Sequence, residues 1–305
     1  MAEVYAALAP VFILIALGWL ARNRRLATPE VFGAVNRFSY FILFPAFLFS
    51  IVTGADFRRA DAGAFVLAVV LGFAAMFALS LALRLIFRGD GPAFTSVFQG
   101  ALRWNGFPLL AAAPALYGPA GLDLVGLIYG PLVFLVNIAT VAVMTRWGAN
   151  GAAGWRAVAR EILANPLILA CAAGLLMQAL GATELGPVGE ALRLLGQAAM
   201  PVALITVGAG LDFSALRADG AKIATATGLK LAVAPVVLWA SAHALGLSPF
   251  ASAVAIGIGA TPSAAASYML AREMGGDARL MAAIITATTL LSFLTMPFAI
   301  GLALR

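Results

Sequence analysis

Ten apolar runs take up nearly all of this chain, and they constrain its fold more than any single motif. They lie at about 4–21, 34–53, 63–87, 92–116, 120–145, 161–181, 187–210, 220–245, 249–271 and 278–304. A helix needs roughly 20 apolar residues to cross the hydrocarbon of a bilayer. Inside lipid, only helices and closed barrels satisfy their own backbone groups. The breaks between runs are short and built from Gly, Pro and charge, as in RGDGP (88–92) and REMGGD (272–277). The chain therefore reads as an all-α membrane protein of ten transmembrane helices, with no room for a soluble domain. Composition agrees: 10% of residues are charged, where soluble domains carry about 25%.

The net charge of +6 does not point to nucleic acid, because the bases sit in short clusters between runs. The opening MAEVYAALAPVFILIALGWL has no base before its apolar run, so it reads as a retained first helix and not a secretory signal. With the N-terminus outside, the cytoplasmic connections hold Arg22, Arg24, Arg25, Arg37, Arg84, Arg88, Arg146, Arg156, Arg160, Arg217, Lys222, Arg272 and Arg279. The outer side keeps Arg58, Arg59, Arg193 and Arg305. That bias orients the chain with both termini outside. The single cysteine, Cys171, excludes an internal disulfide and a Cys-rich metal site.

The two halves of the sequence look alike. FPAFLFSIVTGADF (44–57) aligns without gaps with MPVALITVGAGLDF (200–213), matching Pro45 to Pro201, Leu48 to Leu204, Gly54 to Gly210 and Asp56–Phe57 to Asp212–Phe213. Pro108 and Pro262 sit at nearly the same offset. The expected organisation is a first five-helix repeat over 1–147, a cytoplasmic linker over 148–160 and a second repeat over 161–305. Because five is odd, the second copy enters the membrane upside down, the inverted 5+5 plan of secondary transporters.

Spans 4 and 9 are the equivalent spans interrupted in mid-membrane, at WNGFP (104–108) and GATPSAAAS (259–267). Broken helices persist in lipid only where they line a cavity or pack on protein. Two of them in inverted copies are expected to cross near the midplane, aiming half-helix N-termini at one point. All Asp and Glu fall in connections or at span ends, whereas two cations are deep. Arg103 lies eleven residues into span 4 and Lys230 ten residues into span 8. With no buried carboxylate to pair them, an anionic substrate is their natural partner. The alternatives are that Arg103 caps carbonyls freed at the crossover and that Lys230 snorkels to the cytoplasmic surface. Asn105 offers donors and an acceptor, Gly106 and Pro108 shape the break, and Thr261, Pro262 and Ser263 frame the opposite one. Ser267 adds a hydroxyl there. Asn137 in span 5 is either a helix–helix contact or a ligand. His243 sits at the outer end of span 8 and reads as interfacial.

At these residues the sequence resembles the auxin efflux carrier family of bacterial transporters, relatives of the plant auxin exporters. QGALRWNGFPLLAAAPALYGPAGL (99–122), LLGQAAMPVALITVGAGLDF (194–213) and ATPSAAASYMLAREMGGD (260–277) are similar to that family's spans 4, 7 and 9. In its span 4 an Arg or Ser precedes an Asn two residues on, as Arg103 precedes Asn105; here Gly106 follows the Asn at once. The resemblance implies a scaffold of spans 1, 2, 6 and 7 beside a transport unit of spans 3–5 and 8–10. It also implies elevator-like motion, a homodimer, a substrate site at Asn105 and the crossover around Pro108 and Pro262, and small organic anions as substrates.

One His, one Cys and no deep carboxylate leave almost nothing from which to build an enzyme's nucleophile, base or metal set. The expectation is a carrier of small organic anions in a bacterial inner membrane, with no cofactor and no metal. A sodium-coupled organic-anion symporter of the bile-acid-carrier type is the second reading, since carbonyls and hydroxyls can hold sodium without acids.

Overall fold

The computed structural model describes residues 2–54, 62–87, 89–149, 164–217 and 219–304. Asp56, Phe57, Arg58, Arg59, Arg88, Arg156, Arg160 and Arg305, and most of the expected linker, lie outside the described residues. Among the described residues the regular structure is helical, without a strand. In chain order α1 is Ala2–Asn23, α2 Pro29–Gly54, α3 Ala62–Leu85, α4 Gly91–Leu102, α5 Gly106–Trp147 and α6 Pro166–Ala179. Then follow α7 Gly186–Ala209, α8 Gly220–Ala244, α9 Pro249–Ala260, α10 Ser267–Met274 and α11 Ala278–Ala303.

Among the described residues, 7 helical stretches are long and apolar enough to cross a membrane. The expected ten differ from these at three stretches. The stretch Gly91–Trp147 runs 57 residues, yet it breaks at 103–105 and turns at Gly118. Gly118 has a φ of 69°, where a side chain would be strained. α6, 14 residues long, begins just after the described chain resumes. α9 is cut at 12 residues by the break at 261–266.

The two broken helices are built alike. α4 starts on Asp90, whose carboxylate accepts from the Ala93 N–H at 3.1 Å, with Pro92 in the first turn. There a missing N–H leaves no helical bond unmade. α9 starts on Ser248, whose hydroxyl accepts from the Ala251 N–H at 3.3 Å, with Pro249 beside it. Both run 12 residues and end in an extended residue: Arg103 (φ −70°, ψ 138°) and Thr261 (φ −64°, ψ 152°). Pro249 follows Gly91, and Ala260 follows Leu102, by 158 residues.

This register corrects the pairing of Pro108 with Pro262. Pro262 lies in its break, but Pro108 is the third residue of α5. A helix's first N–H groups have no partner within the helix, so Pro108 fits there without breaking anything. The first interruption is made by residues 103–105.

Packing divides the helices. α1 crosses α7 backbone to backbone: a Cβ on Gly18 would fall 1.9 Å from the Ile205 oxygen, and one on Gly208 1.8 Å from that of Ile15. Small residues permit such close approaches in lipid, where packing drives association. α2 packs on α6 and α7. On the other side α8 packs on α3 and α9, and α9 packs on α11. The outer faces are apolar and exposed, as in the stripe of Leu290, Leu294 and Phe298 at four-residue spacing on α11. This is the surface that a lipid environment requires.

One face gathers alternate connections. Arg22 Nη1 donates to the Ala209 and Leu211 carbonyls at 2.8 and 3.3 Å. Lys222 Nζ meets the Asp90 carboxylate at 2.7 Å. The Ala149 N–H donates to Gly275 O at 2.8 Å, and the Asp277 N–H to Pro92 O at 3.1 Å. These are residues that the charge bias assigns to a single side.

Candidate functional site

The two breaks meet. The Asn105 N–H donates to the Pro262 carbonyl at 2.8 Å, joining the interruptions directly. The Ser263 hydroxyl donates to Gly100 O near the end of α4, and the Ser263 N–H to the Thr288 hydroxyl at 3.2 Å. Thr261 bonds back to Ile258 O at 2.8 Å. Backbone groups released where a helix stops thus find donors from the opposite break or from their own turn, as burial in lipid demands.

A cavity of about 530 Å³ opens in front of this crossing, between α2 and α7 on one side and α5 with the two breaks on the other. Arg103, Asn105, Gly106 and Asn137 line it. Arg103 Nη1 donates to the Asn137 side-chain oxygen at 2.9 Å, so Asn137 holds the guanidinium at the cavity wall. Asn105 is 4% exposed, and its side-chain oxygen caps α5 by accepting from the Phe107 N–H at 3.3 Å. Its Nδ2 then has no protein acceptor. An unmatched amide donor in a buried residue costs free energy until a ligand or water accepts from it. The first residues of α5 and the segment Ala264–Ala266 ahead of α10 line the same space. Two helix N-termini therefore lend partial positive charge to the cavity, beside a permanent guanidinium.

An aromatic wall completes it. Phe44 stacks on Phe107 with ring centres 4.4 Å apart, and Trp104 lies 5.3 Å from Tyr129. Gly106 allows this packing, since a Cβ there would meet the Tyr129 ring at 2.6 Å. At the mouth, Arg22 and Asp212 line the opening. The Ser214 hydrogen bond, first among several, holds the Asp212 carboxyl below its ordinary range.

The other residues singled out in the sequence stand behind the wall. Thr261 and Ser263 are fully buried and tie the breaks together, and Pro108 is buried in the first turn of α5. Lys230 is 1% exposed and donates through Nζ to Gly259 O at 3.2 Å; it neither lines the cavity nor reaches the surface. Ser267 is buried and Cys171 is a buried free thiol, while His243 is exposed and stacks on Trp239. The cavity also takes in Asn36, Tyr40 and Tyr129, which sequence reasoning did not select. A polar Asn36 inside an apolar run was the available signal. Among the described residues, no three His, Cys, Asp or Glu gather to hold a metal ion.

The family described as "Membrane transport protein" matches residues 153–300. This match covers just under half of the chain and agrees with the resemblance to the auxin efflux carriers. A relative from Rhizobium meliloti (strain 1021), named "Putative malonate transporter", is 27% identical over 302 residues, covering 97% of this chain and 94% of that protein. Both likenesses are to membrane transporters, and the cavity is where a transported molecule would be sought.

Proposed function

We propose that this transporter carries small organic carboxylates, malonate among them, and binds them at the crossing of its two broken helices. One observation carries the reading. Arg103, the Asn105 amide and two helix N-termini converge on a single cavity. Such a site suits an anion with a planar carboxylate, which a guanidinium can meet with two bonds. The name of the Rhizobium relative supports malonate as the first substrate to try. Sodium-coupled symport of the bile-acid-carrier type has no comparable support.

The carrier works by alternating access. The matching lengths of α4 and α9, the aligned blocks around Pro45 and Pro201, and the gathering of alternate connections on one face support ten crossings in two inverted repeats, 1–147 and 161–305, joined by a linker at 148–160. α1, α2, α6 and α7 form a scaffold, against which the unit holding the two breaks slides in an elevator-type movement. The Arg22 face, toward which the cavity opens, is cytoplasmic; both termini are outside, the membrane is the bacterial inner one, and the protein works as a homodimer. Purified protein in liposomes loaded with unlabelled malonate is expected to take up labelled malonate by exchange. Absence of exchange with malonate and with a panel of other small carboxylates would sink the substrate assignment.

A further inference from the structure

Lys230 is the buried cation that the anion site does not use. It lies on a π-helical turn, Leu229–Val233, inside α8. Such turns widen the helix and redirect a side chain, and they recur at functional positions. Pro235 follows two residues after its end and removes one N–H from the helix, which the wider turn accommodates. The turn aims Lys230 at the end of α9, where Nζ donates to Gly259 O at 3.2 Å. Gly259 makes this approach possible: a Cβ there would lie 2.9 Å from the Ala234 oxygen and from Pro235 Cα.

The target of this bond is a particular kind of group. Gly259 is the second-last residue of α9, so its carbonyl belongs to the negative end of a half-helix, far from bulk water. In carriers built from broken helices, half-helix C-terminal carbonyls are where a coupling cation such as sodium binds. Near the end of α4, by contrast, the Gly100 carbonyl receives the neutral Ser263 hydroxyl. No Asp or Glu is among the buried residues described, so no carboxylate shares the lysine.

We propose that the Lys230 ammonium is a tethered cation: it fills the place a coupling sodium ion would take at the C-terminal end of α9, and so makes the carrier independent of sodium. The proposal deepens the transport reading above and rests on it for its meaning, but its test does not require a known substrate. Removing the charge leaves electronegative carbonyls in a space sized for an ammonium group, and a small cation from solution can then enter. Lys230→Ala opens the most room, and Lys230→Gln keeps a donor for Gly259 O should the alanine variant fail to fold.

The experiment measures the melting temperature of purified, substrate-free protein in sodium chloride and in choline chloride at equal ionic strength. Wild-type protein is expected to melt at one temperature in both. Both variants are expected to melt lower than wild type in choline and to recover in sodium, the gain rising with the logarithm of sodium concentration as for a ligand that binds only the folded state. A sodium response in the wild type overturns the proposal, as does a folded variant indifferent to which salt is present. Malonate exchange in liposomes is then measured with sodium or choline on both sides. Sodium-rescued stability without any wild-type exchange would fault the substrate assignment and leave the tethered cation standing.

Discussion

The two breaks at the crossing are similar in backbone and opposite in chemistry. Each follows a 12-residue helix that ends in an extended residue. The first, Arg103–Asn105, turns a guanidinium and an amide into the cavity. The second keeps Thr261 and Ser263 fully buried and shows the cavity only Ala264–Ala266. The cations are divided as well: Arg103 faces the cavity, whereas Lys230 backs the end of α9. Under the function proposed for the cavity, one break recognises and the other holds. The difference teaches that two breaks of like backbone need not carry like chemistry, since a single small ligand would have room for only one set of polar partners.

The largest expected effect falls on the recognising break. Arg103→Gln is expected to weaken malonate binding on the order of 10- to 150-fold, since hydrogen bonds to charged groups contribute about 1.5–3 kcal/mol. The substrate-free melting temperature should stay near wild type. Titration calorimetry and thermal unfolding of the same preparation check both halves. A variant that binds normally but melts early would move Arg103 to the holding side of the comparison.

Ser263→Ala is expected to do the reverse. It leaves Gly100 O without its donor inside the protein, a loss of about 1–3 kcal/mol for a buried group. Folded protein should still bind malonate within a few-fold of wild type. A large affinity loss without a stability loss would place the second break in recognition and erase the contrast drawn above.

Asn105→Ala stands between the two, because Asn105 has one oxygen capping α5 and one amide facing the cavity. Losing a neutral hydrogen bond of about 0.5–1.5 kcal/mol weakens binding roughly 2- to 10-fold, and losing the cap costs about 0.5–2 kcal/mol of stability. Asn105→Asp is the sharper probe. It preserves the capping oxygen but replaces the amide donor with an acceptor, so stability should survive while anion binding falls.

Much of this was legible in the sequence, and the limits were physical. The all-helical character and both interruptions follow from apolar run length and from Gly, Pro and polar residues set within it. Arg103 and Asn105 stood out because charge and amide are costly in lipid. What misled was Pro108: a proline near a break is as much at home in the first turn of the next helix, and only the backbone tells the two apart. Lys230 was visible as a deep cation, but its partner is a backbone carbonyl that every residue has, so no sequence pattern could name it. The aromatic wall was hidden for a similar reason. Phe44, Trp104 and Tyr129 read as ordinary apolar residues until α2, the first break and α5 bring them together.

The smallest effect tests the comparison at the other ends of the same helices. α4 is capped by an acid, Asp90, and α9 by a hydroxyl, Ser248, so only the first should respond to pH. The hydrogen bond from Lys222 is the main reason the Asp90 carboxyl lies below its ordinary 3.8. A lowered carboxyl adds stability that is present above its unfolded value and lost as pH falls through the folded one. Lys222 is raised above 10.5, chiefly by the same bond, and its share is intact below that value and lost as pH rises through the folded one. Across pH 5 to 8 both contributions are constant, so neither group should tune transport there. Below about pH 4 the melting temperature of wild type should fall faster than that of Asp90→Asn, which keeps a capping oxygen but cannot be protonated. The Asp90 side chain is 48% exposed, so the difference should stay under about 1 kcal/mol, as solvent-screened pairs do. Ser248→Asp should transplant the acid-side sensitivity to α9. If the wild type and both variants share one acid-side slope, the two helix starts are equivalent, and the asymmetry of this protein is confined to its breaks.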